Sequence, residues 1–190
     1  MRKELYQTVE DRDNPDYVLE NGPFKCISNA WLGDGYYFWD TFIEYAHWWG
    51  EQGYNGRYIV TKYLIDFNQE EIFDLLDPSY IRQLEDYSEI MRDRFGISNL
   101  TVPRIIKHMQ QFAGFDYKGV RAESRGCVSH TEENQSFFKR LFFIGKSKAY
   151  LALRPPVQIC LFSKELLLSG SEEIVFPEMY IEILLSAKTF

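Results

Sequence analysis

Residues 32–49 read LGDGYYFWDTFIEYAHWW, and this stretch decides most of what the chain is expected to fold into. Gly33 and Gly35 allow a tight backbone course, because glycine tolerates a positive φ and lets other groups approach closely. The aromatic run at 36–39 predicts a short strand. Apolar residues then recur at helical spacing, at Phe42, Tyr45, Ala46 and Trp49. A loop, a strand and a helix in this order form either one wall of a ligand site or an aromatic core hairpin, and both interpretations stay open.

The composition is that of one globular domain with an excess of aromatic side chains. The chain has 190 residues, of which 45% are hydrophobic, 26% charged and 17% aromatic. This length suffices for a sizeable core, and aromatic rings also provide stacking surfaces for flat ligands. The net charge of −7 argues against broad attachment to nucleic-acid backbones. A local basic groove stays open, because six basic residues cluster in the second half: Arg121, Arg125, Lys139, Arg140, Lys146 and Lys148.

The cysteines and the termini indicate a reduced, cytoplasmic protein. The three cysteines, Cys26, Cys127 and Cys160, form no CxxC pair, so neither a zinc ribbon nor a disulfide framework is expected. The first residues include no apolar signal-peptide core, and no stretch approaches the length of a membrane span. We therefore expect a cytoplasmic protein without a membrane segment.

Most signatures of nucleotide, metal and nucleophile chemistry are missing. No phosphate-binding GxxxxGK[ST], HExxH or GxSxG motif occurs, and the GDG sequence at 33–35 precedes an aromatic strand instead of the helix that a dinucleotide fingerprint needs. The three histidines, His47, His108 and His130, show no spacing typical of metal ligands, so no metal site is expected.

The order of elements predicts an α+β fold in a single domain spanning residues 1–190. Strands are expected at 4–9, 36–39, 57–67, 119–122, 141–144 and 157–162. One short helix is expected to start near Pro15, and a second to span about 41–52. Two further helices, within about 78–114, are expected to form an insertion between two strand-rich halves. Residues 123–136 are expected to form a polar loop, and residues 174–185 fit either a strand or a helix.

The order of several motifs resembles the ADP-ribosyltransferase superfamily, in the branch of diphtheria toxin and the poly(ADP-ribose) polymerases. The residues that carry the resemblance are LYQT at 5–8, YVLENGPF at 17–24, GDGYYF at 33–38 with Ala46 and Trp49 downstream, and RPPVQIC at 154–160. It covers about residues 4–67, extends weakly over 115–168, and leaves out the two inserted helices. The resemblance implies a split β-sheet core and NAD as co-substrate.

Family positions transfer to this chain residue by residue. Gln7 falls where the family usually has histidine, and Thr8 lies beside it; both would bind the nicotinamide ribose or amide. Tyr37 falls on the stacking tyrosine, and Tyr45 would face it from the helix. Gln158 falls at or near the catalytic glutamate. The resemblance further implies that Gly33 and Gly35 let the backbone approach NAD, and that Arg121 (or Arg125) holds the pyrophosphate.

Two departures from the family pattern leave the activity open. Glutamine at positions 7 and 158 keeps hydrogen-bonding capacity but has no titratable group. Either Gln158 orients the ribose 2′-hydroxyl, or a carboxylate elsewhere acts, for which Glu123 is the candidate. The expected function is mono-ADP-ribosyl transfer to a protein or nucleic acid, as in a bacterial toxin or phage-defence effector with an antitoxin protein as partner. The alternative is a catalytically degenerate module that binds a nucleotide or a partner protein.

Overall fold

The computed structural model describes residues 1–26, 30–124, 140–144 and 149–187, except for the side chains at 185 and 187. Its strands are β1 (Arg2–Glu10), β2 (Lys25–Cys26), β3 (Gly35–Asp40), β4 (Tyr58–Asp66), β5 (Ile72–Asp74), β6 (Gly119–Glu123), β7 (Arg140–Phe142), β8 (Tyr150–Ala152), β9 (Val157–Leu161) and β10 (Glu173–Phe176). Its helices are α1 (Pro15–Asn21), α2 (Ile43–Tyr54), α3 (Pro78–Phe95), α4 (Val102–Phe112) and α5 (Glu178–Ala187).

One mixed sheet organises the described residues. Its strands lie in the order β10-β4-β1-β3-β9-β6-β5, with β2 paired to β3, which makes eight strands. All neighbours are antiparallel except β5 and β6, which are parallel. Strands β7 and β8 form a second sheet of two antiparallel strands. The predicted α+β class is confirmed at this level, as a mixed sheet with helices.

The sheet divides between β1 and β3. Strand β1 pairs with β4 along its whole length, from Arg2 to Glu10. With β3, among the described residues, it pairs only through Leu5 with Asp40 and Tyr6 with Trp39. Beyond these two pairs the strands separate, so that β1, β4 and β10 form one half of the sheet and β3, β9, β6 and β5 the other.

Side-chain alternation gives the sheet two faces, which we call front and back. The pairings align Tyr6, Trp39, Gln158 and Ala122 in one row on the front face. The adjacent row on the back face contains Phe38, Ile159, Arg121 and Asp74. Helix α2 covers the front of the first half, while α3 and α4 cover the front of the second half. Helices α1 and α5 pack behind β4.

Helices α3 and α4 form the crossover between β5 and β6. Two parallel strands need a long connection, and this pair of helices supplies it. Asp77 accepts a hydrogen bond from the Ser79 backbone amide at the start of α3, and Gly96 ends the helix with φ of +65°. Apolar residues of both helices pack on the sheet, among them Met91, Ile105, Ile106 and Met109. The expected helical pair therefore belongs to the main core.

Other expected elements differ in detail. Residues 174–185 contain both alternatives in succession, because strand β10 ends at Phe176 and α5 follows. Strands β5 and β8 were not predicted. Of the expected loop at 123–136, Glu123 belongs to β6 and Ser124 is buried, while 125–136 lie outside the described residues. Within the described part of the chain, no helix is long and apolar enough to cross a membrane.

Candidate functional site

A cavity of about 570 Å³ opens where β1 and β3 separate. Strand β1 lines it with Gln7 and Thr8, β3 with Tyr37, and β9 with Gln158. These four residues, which the resemblance assigned to one site, are up to 151 positions apart in the sequence and lie around the same cavity. Its volume falls within the usual range for small-molecule sites.

The cavity is walled mainly by aromatic rings. All four tryptophans of the chain line it: Trp31, Trp39, Trp48 and Trp49. Trp39 is fixed by stacking on Tyr45, with ring centroids 5.2 Å apart, and meets Trp48 edge to face at 6.2 Å. Rigid aromatic faces of this kind suit a flat ligand ring. The aromatic stretch at 36–49 therefore contributes both to the core and to a cavity wall.

The lining carries little charge. Among the described residues around the cavity, Lys25 of β2 alone has a formal charge. Its side chain is exposed at the rim and can meet an anionic group such as a phosphate. No group of three or more potential metal ligands occurs among the described residues.

Gln158 is held by a residue that the sequence did not single out. The indole Nε1 of Trp31 donates to Gln158 Oε1 at 2.8 Å. Trp31 precedes the glycine loop, and its ring packs against the core cluster that contains Leu32, Ala122 and Cys160.

Gln7 and Thr8 use their polar atoms to hold the protein together. Gln7 Nε2 donates to the carbonyls of Phe24 and Tyr37, at 2.9 and 3.2 Å, and Oε1 accepts from the Phe24 amide at 2.7 Å. The side chain thus bridges the two halves of the sheet at the floor of the cavity. Thr8 Oγ1 donates to the Ala46 carbonyl at 2.8 Å and ties β1 to α2. Both side chains shape the site, and their direct contact with NAD stays a prediction.

Tyr37 fixes the glycine loop at the edge of the cavity. Its hydroxyl accepts from the Leu32 amide at 2.7 Å and donates to the Gly33 carbonyl at 2.8 Å. Burial raises the pKa of Tyr37, so the hydroxyl stays protonated at neutral pH. Tyr37 lines the cavity, and its stacking on nicotinamide stays a prediction.

The two glycines shape this loop without lining the cavity. Gly33 adopts φ of +107°, which favours glycine. A Cβ at Gly35 would lie 2.5 Å from Cys160 Sγ and 2.6 Å from the Leu161 carbonyl oxygen. Glycine at 35 therefore lets β3 pack closely against β9.

Arg121 does not reach the cavity. It lies on the back face, where Nε is 2.7 Å from Asp40 Oδ2 and one terminal nitrogen is 2.8 Å from Asp74 Oδ2. Lys3 completes this ion network, with Nζ 3.1 Å from Asp40 Oδ2. The guanidinium is engaged by two buried carboxylates, so the expected pyrophosphate role does not fit its position. Of the other clustered basic residues, Arg140 lies in β7 and four lie outside the described residues.

Tyr45 and Glu123 also lie away from the cavity lining. The Tyr45 hydroxyl donates to the Arg154 carbonyl at 2.5 Å, and burial raises the pKa of Tyr45 to about 12. Its ring stacks on Trp39 within the core cluster under α2, so Tyr45 supports the cavity wall without lining it. Glu123 pairs with Val157, one position from the Gln158 row, and its strand neighbour Ala122 is the residue opposite Gln158.

The chain was compared with protein families, curated proteins and solved structures. No protein-family model, no curated protein and no solved structure matches the chain.

Proposed function

We propose that the cavity binds NAD and that the protein transfers ADP-ribose from it to a macromolecular acceptor, within an ADP-ribosyltransferase-like split sheet. The observation that carries this proposal is the convergence of Gln7, Thr8, Tyr37 and Gln158 at the cavity between the two halves of the sheet. These are the residues that the resemblance assigns to one NAD site. The division of the sheet beside Tyr6 supports the same conclusion.

The cavity offers each part of NAD a suitable neighbour. The nicotinamide ring would stack among the aromatic walls, with Tyr37 as its nearest assigned partner. Lys25 at the rim would meet the pyrophosphate. The Gln158 amide would donate to an oxygen of the nicotinamide ribose. Gln7 and Thr8 would act indirectly, by holding β1, β3 and α2 around the ligand.

The proposed transfer of ADP-ribose depends on the positioning of NAD and acceptor and on electrostatic stabilisation. The bond between ribose C1′ and the pyridinium nitrogen is weakened by the positive ring, and its electron pair leaves with neutral nicotinamide. A nucleophilic atom of the acceptor then forms a bond to C1′, and its proton goes to solvent. Holding NAD and acceptor in line would lower the barrier, and groups that stabilise the developing ribose cation would lower it further.

A second candidate is a binding module without transfer activity. It is favoured by one observation: no carboxylate belongs to the described lining of the cavity, and Gln158 is neutral. An amide cannot stabilise a developing ribose cation by charge, as the glutamate at this family position would.

Titration calorimetry with NAD, followed by incubation with labelled NAD and cell extract, separates the two candidates. Binding with label transfer to protein or nucleic acid supports the transferase. Binding without transfer supports the module, and the absence of both overturns both. Tyr37→Ala is the test variant, because it removes the proposed stacking ring together with the hydroxyl that holds the loop at Leu32 and Gly33. A toxin would arrest bacterial growth on expression, with relief in Tyr37→Ala and by a dedicated antitoxin protein.

A further inference from the structure

The geometry points to Trp31 as a positioning residue that holds the Gln158 amide with its oxygen occupied and its nitrogen available to a ligand. This inference rests on the proposed function in one respect, the identity of the ligand as NAD. It assigns to Gln158 the role of a hydrogen-bond donor, which differs from the role of the glutamate that the resembled family has at this position.

The direction of the amide follows from the chemistry of its partner. An indole Nε1 is only a donor, so the atom of Gln158 that lies 2.8 Å from it must be the oxygen. Within the described part of the chain, the amide nitrogen has no acceptor, although Gln158 lines the cavity. The two N–H groups are therefore left for a ligand acceptor, such as a ribose oxygen.

Trp31 is itself partly buried against the core. Its side chain packs against the core cluster that contains Leu32, Ala122 and Cys160, and Ala122 lies directly opposite Gln158 in the sheet. The next residue, Leu32, donates its backbone amide to the Tyr37 hydroxyl. Tyr37 therefore fixes the loop, the loop fixes Trp31, and Trp31 fixes Gln158.

The hydrogen bond has a spectroscopic signature that does not depend on NAD. In a ¹⁵N–¹H spectrum, the Trp31 indole resonance, assigned by its loss in Trp31→Phe, should shift and exchange faster with solvent in Gln158→Leu. Gln158→Glu keeps an oxygen acceptor and should preserve the slow exchange, which makes it the matched control. An indole signal unaffected by Gln158→Leu would overturn the inference.

A double-mutant cycle on NAD affinity tests the positioning role. Trp31→Phe keeps an aromatic ring and should weaken NAD binding about fivefold, the order expected for one hydrogen bond. If Trp31 acts through Gln158, Trp31→Phe should have no further effect in the Gln158→Leu background. Effects that multiply, or wild-type affinity in Trp31→Phe, would contradict the inference.

The two proposals fail in different ways. If wild-type protein does not bind NAD, the proposed function is wrong, and the indole resonance still decides whether Trp31 holds Gln158. If NAD binds without coupling between the two positions, the proposed function stands and the positioning role is wrong. Thermal unfolding of each variant shows that these comparisons are made on folded protein.

Discussion

The buried ion network behind the cavity leads to a quantitative prediction for Arg121→Met. Arg121 lies between Asp40 and Asp74, whose exposed fractions are 3% and 5%. Through these contacts it joins β6 to β3 and β5. Methionine would keep much of the packing but leave both carboxylates without the guanidinium.

Removing one partner of a buried ion pair costs about 3–5 kcal/mol. The lower end applies here, because Asp40 keeps Lys3 and the Thr41 hydroxyl, and Asp74 keeps the Leu76 amide. We therefore expect a loss of about 3 kcal/mol at pH 7. For a chain of this length, that corresponds to a fall in melting temperature of roughly 6–12 °C.

The loss should depend on pH with a defined sign. Burial acts to raise the pKa of Asp40, but the Thr41 hydroxyl and the charges of Lys3 and Arg121 outweigh it and lower the pKa. A carboxyl with a lowered pKa stabilises the folded state above the pKa of the unfolded chain, and this contribution is lost as pH falls through the folded pKa. The difference between wild type and Arg121→Met should therefore be largest near pH 7 and shrink below about pH 4.

Urea unfolding at pH 7 and at about pH 3, combined with NAD titration of the folded variant at pH 7, measures both consequences. Arg94→Met, at an exposed arginine of α3, is the control and should change stability by less than about 0.5 kcal/mol. The structure predicts reduced stability and unchanged NAD affinity for Arg121→Met. Unchanged stability with NAD affinity weakened tenfold or more would refute the reasoning, because Arg121 would then contact the ligand.

Three further predictions concern the cavity wall and its surroundings. Gly35→Ala should destabilise the fold by about 1–3 kcal/mol in urea unfolding, because its Cβ would collide with Cys160; wild-type stability would show that β3 and β9 can separate there. Tyr37→Phe should lower the free energy of unfolding by about 1–2 kcal/mol in urea unfolding and weaken NAD binding in calorimetry, because the Leu32 amide loses its acceptor. Unchanged stability and NAD affinity would contradict the role of the hydroxyl. Burial lowers the pKa of His47, so near pH 6 the unfolded chain binds more protons than the folded one, and the free energy of unfolding should fall from pH 7 to pH 5. In urea unfolding across this range, His47→Gln should flatten the fall. An equally steep fall in His47→Gln would show that another group causes it.

The elements with strong local patterns could be predicted from the sequence. Residues with a strong preference for strands predicted β4, and turn residues marked the ends of α3. Strand β5 was missed because its three residues are too few to form a recognisable pattern. Its pairing with β6 depends on a crossover of two helices, which local patterns do not reveal. The division of the sheet beside Tyr6 is likewise a tertiary feature.

The candidate site was predictable where residues follow a motif. The motif order brought Gln7, Tyr37 and Gln158 together, but it could not show that the Gln7 amide is used by the protein backbone. The position of Arg121 depends on strand register. Arg121 pairs with Ile159, next to Gln158, and therefore points to the back face of the sheet while Gln158 points to the front. Trp31 belongs to no periodic segment, and only the folded chain shows its contact with Gln158.

The central claim is that the cavity binds NAD. A titration with NAD that is monitored by tryptophan fluorescence tests it most directly. All four tryptophans line the proposed NAD cavity, so the whole indole emission reports on the site. We expect a saturable change in emission that ADP-ribose reverses by competition and that Tyr37→Ala weakens. Emission that stays unchanged up to millimolar NAD, in protein shown to be folded, would contradict the assignment of this cavity to NAD.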